Sequence, residues 1–141
     1  MKYSTKLSDA VHILVLIAVN PLENLTSSKI AESVHTNPAF IRQLMSLLKK
    51  GGIIKSTAGH ARPELAVPCD ELTLYDVYKA VEGDKPLLHL DTHTNPECGA
   101  GVNIQLSLAE YYDMIQLACE EKMKSVTLVH IIETYYEKIH A

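Results

Sequence analysis

Positively charged side chains are concentrated in one short window of the chain. Between Ser33 and Pro63 there is no Asp or Glu, although the whole protein has 17 acidic residues, 13 Lys plus Arg and a formal net charge of -4. Up to Arg62 the chain has eight basic and three acidic residues, whereas the rest has five and fourteen. Cations without neighbouring carboxylates attract phosphates, so we expect a nucleic-acid-binding surface. The alternative is a solvated charge patch without a partner.

Most of the candidate contacts lie on one predicted helix. Asn37 is a good N-cap, Pro38 suits the first helical position, and Gly51 with Gly52 ends the helix after Lys50. Arg and Gln read base edges in the major groove, Lys binds phosphates, and a small apolar residue contacts a base methyl group. The apolar stripe of this helix is Ile41, Leu44, Leu47 and Leu48, and the predicted DNA contacts are Ala39, Arg42, Gln43, Ser46, Lys49 and Lys50.

A predicted β-hairpin follows this helix. Residues 53–57 and 64–67 favour strands, and residues 58–63 favour a turn. Together with a helix predicted over residues 28–35, the order is helix, turn, helix and hairpin, which is the order of a winged helix-turn-helix. The predicted contacts of this hairpin are Lys55, which would bind phosphates, and His60 and Arg62, which would serve the wing.

The composition excludes several other classes of protein. The chain has 141 residues, 47% of them hydrophobic, which suits one compact core. The apolar run from Val11 to Val19 is too short to span a bilayer, and no signal-peptide cleavage site follows it. Three widely separated cysteines make no disulfide framework, so we expect a reducing, cytoplasmic location. There is no nucleophile with a base and no phosphate-binding glycine loop, so we expect no enzyme.

The C-terminal half is predicted to be mainly helical. We expect a short helix over residues 72–81, an irregular segment from Asp84 to Gly101, a long helix from about Val102 to Lys124 and a last helix from Thr127 to Ile139. The long helix has more apolar surface than a small winged domain covers. Burial against a second copy is expected, since a two-fold dimer also matches two half-sites on DNA. In the alternative arrangement, both helices fold back onto their own domain.

Several segments together resemble the Rrf2 family of bacterial transcriptional regulators. They are residues 1–11, residues 30–32, residues 47–56 and the segment LTLYDVYKAVEG at residues 72–83. The last segment is the most specific, because other winged-helix families lack this continuation of the helix-turn-helix. The resemblance covers nearly the whole chain.

The resemblance implies a homodimeric DNA-binding regulator, which we interpret as a repressor that binds a double-stranded operator. It implies a winged helix-turn-helix domain over residues 1–83, a sensory loop over residues 84–101 and a helical dimerisation region over residues 102–141. The fold is thus expected to be mainly α with a small β-hairpin. Cluster-binding relatives have three closely spaced cysteines in the loop, whereas Cys98 is alone there, so we expect no iron–sulfur cluster and no other cofactor.

Cys98 is the candidate sensory thiol. It directly precedes the predicted long helix, where amide groups and the helix dipole stabilise a thiolate. Oxidation or alkylation there is expected to tilt the dimerisation helices and displace the recognition helices. Two alternatives stay open: His89, His93 and Cys98 bind a metal such as zinc, or a partner protein or small ligand controls DNA binding, as a partner does for the family's cysteine-metabolism repressor. Cys119 is expected in the core, and Cys69 is expected to have no role.

Overall fold

Helices dominate the architecture. The computed structural model describes residues 3–19, 25–56 and 62–141, and within these ranges it has six α-helices and one two-stranded sheet. No helix in the described ranges is long and apolar enough to cross a membrane. The elements are α1 (Lys6–Val19), α2 (Ser27–Val34), α3 (Pro38–Lys50), β1 (Ile54–Lys55), β2 (Glu64–Leu65), α4 (Leu74–Glu82), α5 (Gly99–Lys124) and α6 (Leu128–Ile139).

The core lies where α1, α3 and α4 pack together. Ile13 and Leu14 of α1 and Ile41, Leu44 and Leu48 of α3 have no exposed surface. With Ala10 and Ile17, which are also buried in α1, these side chains follow the three- and four-residue spacing of one helix face, so each helix buries one stripe. Burying an aliphatic side chain of this size stabilises the fold by about 1.5–3 kcal/mol, so the stripes fix how each helix is rotated about its axis.

The hairpin is antiparallel and short. Ile54 pairs with Leu65, and Lys55 pairs with Glu64. Both strands are shorter than the sequence predicts, and residues 57–61 between them lie outside the described residues. The helices α1 to α4 and this hairpin are referred to below as the winged part.

The junction between α3 and α4 requires a glycine. A Cβ atom at Gly51 would lie 3.0 Å from the Cβ of Ala80 in α4, which is closer than nine in ten real Cβ contacts. The next residue, Gly52, has a φ of +74°, a conformation that glycine adopts without strain. The predicted end of α3 at Lys50 is therefore confirmed, and the glycines also allow α3 to approach α4 closely.

The predicted start of the long helix at Val102 is wrong by three residues. α5 begins at Gly99, because the Cys98 Sγ accepts a hydrogen bond from the Gly101 N–H at 3.3 Å and caps the first turn. The loop between α4 and α5 therefore covers residues 83–98, and Cys98 is its last residue.

The last two helices attach to the winged part in different ways. The Leu128 N–H donates to the Leu72 carbonyl at 2.8 Å, and the Val129 N–H donates to the Cys69 carbonyl at 3.2 Å, so α6 is anchored at its first turn. All residues of α5 are described, and none of them is buried. The predicted core position of Cys119 is therefore wrong, since this side chain is half-buried on α5.

Candidate nucleic-acid interface and sensory loop

α3 presents two opposite faces. Its buried stripe is packed against α1 and α4, and Leu47 is half-buried beside it. Because this stripe fixes the rotation of the helix, the opposite face is held in solvent. All six predicted contact residues of α3 are exposed on that side: Ala39, Arg42, Gln43, Ser46, Lys49 and Lys50.

The α2–α3 turn lies between two helices that are each capped at the N-terminal end. The Thr26 side chain accepts from the Lys29 N–H at 3.2 Å, and the Asn37 side chain accepts from the Phe40 N–H at 2.9 Å. Between these caps His35 has a φ of +66°, which turns the chain sharply. The predicted cap and proline at the start of α3 are confirmed, and they fix where α3 begins after the turn.

A groove of about 250 Å³ lies between the start of α2, α3 and the hairpin. Arg42, Ser46 and Lys49 line it from α3, Ser27 lines it from α2, and Ser56 lines it from the end of β1. None of the described residues that line this groove is acidic. Hydroxyl and cationic groups donate to phosphate oxygens, so the groove has the chemistry of a DNA-backbone site.

The predicted contacts of the hairpin differ in their exposure and in their hydrogen bonding. Lys55 is exposed on β1, directly before the groove residue Ser56 in the chain, and it does not itself line the groove. His60 lies outside the described residues. Arg62 is half-buried, and its Nη2 donates to the Ile17 carbonyl in the last turn of α1 at 3.3 Å. Arg62 thus ties the hairpin to α1, and its contact with DNA stays a prediction.

Cys98 occupies an exposed position at the start of α5. A Cβ atom at Gly101 would lie 3.2 Å from the Thr94 Cγ2 and 3.5 Å from the Cys98 Sγ. A side chain at this position would therefore press on the Thr94 methyl group, so the glycine lets the end of the loop pack closely on the first turn of α5. A covalent change at Cys98 would act on both the cap and this contact.

The other two cysteines, Cys69 and Cys119, are less exposed than Cys98. Cys69 is half-buried, and burial together with the Asp70 carboxylate raises the pKa of its thiol. Cys119 follows Cys98 by 21 residues within one helix. At 1.5 Å of rise per residue, that separation is about 32 Å.

The predicted metal ligands are not assembled into a site. In the described ranges, no three His, Cys, Asp or Glu side chains are near enough to hold a metal ion together. His93 instead pairs with Asp91, with 3.2 Å between Nδ1 and Oδ1. His89, His93 and Cys98 therefore do not form a metal site in this arrangement.

A family model described as an iron-dependent transcriptional regulator, Rrf2, matches residues 3–134. The chain belongs to the Rrf2 family. One Rrf2 relative, YwnA of Bacillus subtilis (strain 168), is named as an HTH-type transcriptional regulator. It is 36% identical over 129 residues, which are 92% of this chain and 96% of YwnA.

Solved structures agree with the Rrf2 assignment. A crystal structure of a protein described as DNA-binding is 35% identical, with a TM-score of 0.73 over 90% of this chain and 98% of that one. CymR (YrzC), the global cysteine regulator of B. subtilis, has a TM-score of 0.66 at 22% identity, covers 94% of this chain and 97% of its own, and shares the fold. The predicted winged-helix fold and the predicted family are confirmed, and the chain is a transcriptional regulator, not an enzyme.

The iron named in the Rrf2 description does not fit the thiols of this chain. A cluster normally requires four cysteine ligands, whereas the loop contains Cys98 alone. Cys119 is about 32 Å away along the helix, so it does not complete a site with Cys98 in one chain.

Proposed function

We propose that this chain is a homodimeric, sequence-specific DNA-binding repressor whose operator affinity is controlled by the thiol of Cys98. The observation that carries the DNA-binding part is the solvent face of α3. It consists of cationic, polar and small side chains beside a groove without acidic lining residues. Those are the groups that contact bases and phosphates in a major groove.

Different residues of this face have different roles in the proposal. Arg42 and Gln43 read base edges, because both side chains form paired hydrogen bonds with a purine. Ala39 makes an apolar contact with a base. Ser46 and the three lysines position the protein on phosphates, with Arg62 and His60 at the wing. The lysines are Lys49, Lys50 and Lys55.

The exposed surface of α5 supports the dimer. Ile104, Tyr111 and Ile115 are 62%, 61% and 46% exposed, and with Leu108 they form a stripe at intervals of three and four residues. An apolar stripe on a helix without buried residues is unfavourable in water. A second copy related by a two-fold axis would cover it and would place two α3 helices for two half-sites.

The position of Cys98 supports the sensory role. When hydrogen peroxide reacts, the thiolate attacks one oxygen, an S–O bond forms as the O–O bond breaks, and a sulfenic acid and hydroxide result; the hydroxide takes up the proton that the thiol released and becomes water. With an alkylating agent such as iodoacetamide, an S–C bond forms as the C–I bond breaks, iodide leaves and the thiol proton goes to water. Either product changes the sulfur that caps the Gly101 N–H and weakens the first turn of α5.

The test is a titration of the reduced full-length protein with fragments of the DNA upstream of its own gene. The titration is repeated after treatment with hydrogen peroxide or with an electrophile. Cys98→Ser is measured in parallel, and Cys69→Ser and Cys119→Ser are the matched thiol controls. We expect tight, sequence-dependent binding that treatment abolishes in the wild type and in both controls but not in Cys98→Ser.

Other outcomes distinguish the parts of the proposal. Binding that is indifferent to treatment would retain the DNA-binding role and overturn the sensor role of Cys98. Weak binding that rises when a partner protein from the same cell is added would favour control by that partner. Equal affinity for specific and random DNA would overturn the sequence-specific regulator.

A further inference from the structure

The side chain of Gln116 joins three parts of the molecule. Its Oε1 accepts from the Leu87 N–H of the α4–α5 loop at 2.8 Å, and its Nε2 donates to the Tyr78 hydroxyl of α4 at 3.0 Å. The same Nε2 donates to the Glu120 Oε2 within α5 at 2.9 Å. Tyr78 in turn donates to the Lys85 carbonyl at 2.7 Å. One carboxamide thus connects the loop, the winged part and the long helix.

Its partners determine the orientation of this carboxamide. The Leu87 N–H is only a donor, so it requires the amide oxygen. The Tyr78 hydroxyl gives its single proton to the Lys85 carbonyl, so toward Gln116 it is an acceptor and requires the amide nitrogen. A glutamate at this position would turn an oxygen toward Tyr78 and add a negative charge beside Glu120. The site is therefore specific for glutamine.

The loop runs along α5 from Gln116 to the capped start of the helix. Leu87 is bonded to Gln116, and Thr94 contacts the position of Gly101, which lies 15 residues earlier on the helix. That stretch of helix is about 22 Å long. The step from Leu87 to Thr94 joins these two points, and its second half is held in a turn in which the Asp91 Oδ1 accepts from the His93 N–H at 2.8 Å. A displacement at the Cys98 end is therefore expected to pull on the Leu87 contact.

Tyr78 continues the connection toward the recognition helix. Its side chain is buried, with 2% of its surface exposed, in a helix that packs against both α1 and α3. Two residues later, Ala80 lies against the glycine that ends α3. A change in the hydrogen bonds of the Tyr78 hydroxyl therefore acts on α4, which packs against the C-terminal end of α3.

We propose that Gln116 is the positioning residue that transmits the state of the α4–α5 loop to the winged part through Tyr78. This role rests on the proposed control of DNA binding by the loop. When Cys98 is modified, the loop retracts, the Leu87 N–H leaves the Gln116 Oε1, and the carboxamide no longer holds the Tyr78 hydroxyl in place.

The first measurement is amide hydrogen exchange of the full-length reduced protein. Gln116→Leu removes the hydrogen bonds to the Leu87 N–H and to the Tyr78 hydroxyl. Exchange at Leu87 and within α4 is therefore expected to be about tenfold faster, as the loss of one hydrogen bond predicts. Gln116→Glu keeps the oxygen that accepts from Leu87, so Leu87 stays protected while α4 exchanges faster. Tyr78→Phe keeps the buried ring and is expected to accelerate α4 alone. Unchanged exchange at Leu87 and α4 in Gln116→Leu would overturn the proposal.

Gln105→Leu is the matched control. Gln105 lies on the same helix, and its Oε1 is a buried side-chain atom without a hydrogen-bond partner among the described residues. This substitution removes an equal carboxamide from α5 and is expected to leave exchange at Leu87 and in α4 unchanged. Equal acceleration by Gln105→Leu and Gln116→Leu would overturn a specific role of Gln116.

The second measurement is the operator affinity before and after modification of Cys98. In the wild type this ratio is large, whereas in Gln116→Leu and Tyr78→Phe it is expected to approach one, because the loop no longer acts on α4. A full wild-type ratio in both variants would overturn the proposal. A ratio of one in the wild type would overturn the sensor role of Cys98 alone, and the role of Gln116 would then be decided by hydrogen exchange.

Discussion

At the scale of single residues, substitutions of Arg42 and Lys49 distinguish base reading from phosphate binding on the exposed face of α3. Both are exposed and line the same groove, but only the arginine has a planar fork that matches a base edge. We expect Arg42→Ala to cost about 1–3 kcal/mol of operator binding and to relax the base preference. Lys49→Ala should weaken all DNA sequences alike and lower the slope of affinity against salt by about 0.9.

Both variants are measured by titration on an operator, on single-base variants of it and on random DNA, each at several salt concentrations. Equal losses for Arg42→Ala on operator and random DNA would contradict the base-reading role. A change in base preference with Lys49→Ala would contradict the phosphate role.

The raised pKa of the Cys69 thiol should appear in how pH affects its alkylation. Burial and the neighbouring Asp70 raise the pKa of the Cys69 thiol, so the thiolate at Cys69 forms only at higher pH than in an ordinary cysteine. We therefore expect the alkylation rate of Cys69 to rise at higher pH than that of a cysteine-containing peptide. Iodoacetamide labelling from neutral to alkaline pH, followed by mass spectrometry, measures this, with Cys98 as the exposed thiol of the same chain.

Asp70→Asn is the control for the electrostatic cause. It removes the second cause of the raised pKa and leaves the burial of Cys69, so the rate profile should move toward lower pH without reaching that of the peptide. A wild-type profile at or below that of the peptide would contradict the prediction.

At the scale of elements, the α3–α4 junction depends on the missing side chain of Gly51. A Cβ atom there meets the Ala80 Cβ at 3.0 Å, and neither atom is the end of a flexible chain. We expect Gly51→Ala to lower the free energy of unfolding by about 1–3 kcal/mol, as overpacking does in cores. Urea denaturation measures this.

Gly99→Ala is the matched substitution at the start of α5. No heavy atom lies within 4 Å of the Cβ that it would add, so stability should stay the same or rise. Equal stability of Gly51→Ala and the wild type would contradict the close approach of α3 and α4.

The elements that the sequence predicted well are those in which several local signals agree. α3 has a capping Asn37, Pro38 in its first turn, one apolar stripe and a glycine after its last residue, and its bounds are confirmed. The start of α5 was missed because glycines indicate a loop and because cysteine is not a usual cap. Gln116 was missed because its partners lie 29 and 38 residues away, and no sequence spacing marks such a contact.

At the scale of the whole molecule, the exposed stripe of α5 should decide the oligomeric state. We expect Ile104→Glu and Tyr111→Glu each to place a charge in the proposed interface and to reduce the particle from two chains to one chain of 15.6 kDa. Light scattering coupled to gel filtration measures the mass. Operator binding should weaken at the same time, because two half-sites are no longer bound together.

Asn103→Glu adds the same charge at a neighbouring exposed position outside the stripe and should leave the dimer intact. A dimer that persists in both stripe variants would contradict the assignment of this face. Dissociation by Asn103→Glu as well would show that charge on α5, and not the stripe, is responsible.

The division of charge along the chain also has a kinetic consequence. With an excess of basic residues up to Arg62 and of acidic residues after it, the protein is an electric dipole with a net negative charge. Within the Debye length of about 8–10 Å, the field of DNA attracts the basic part of the molecule and repels its acidic part. Collisions in other orientations are thus discouraged, and the protein arrives with α3 foremost and dissociates readily from DNA that it does not recognise.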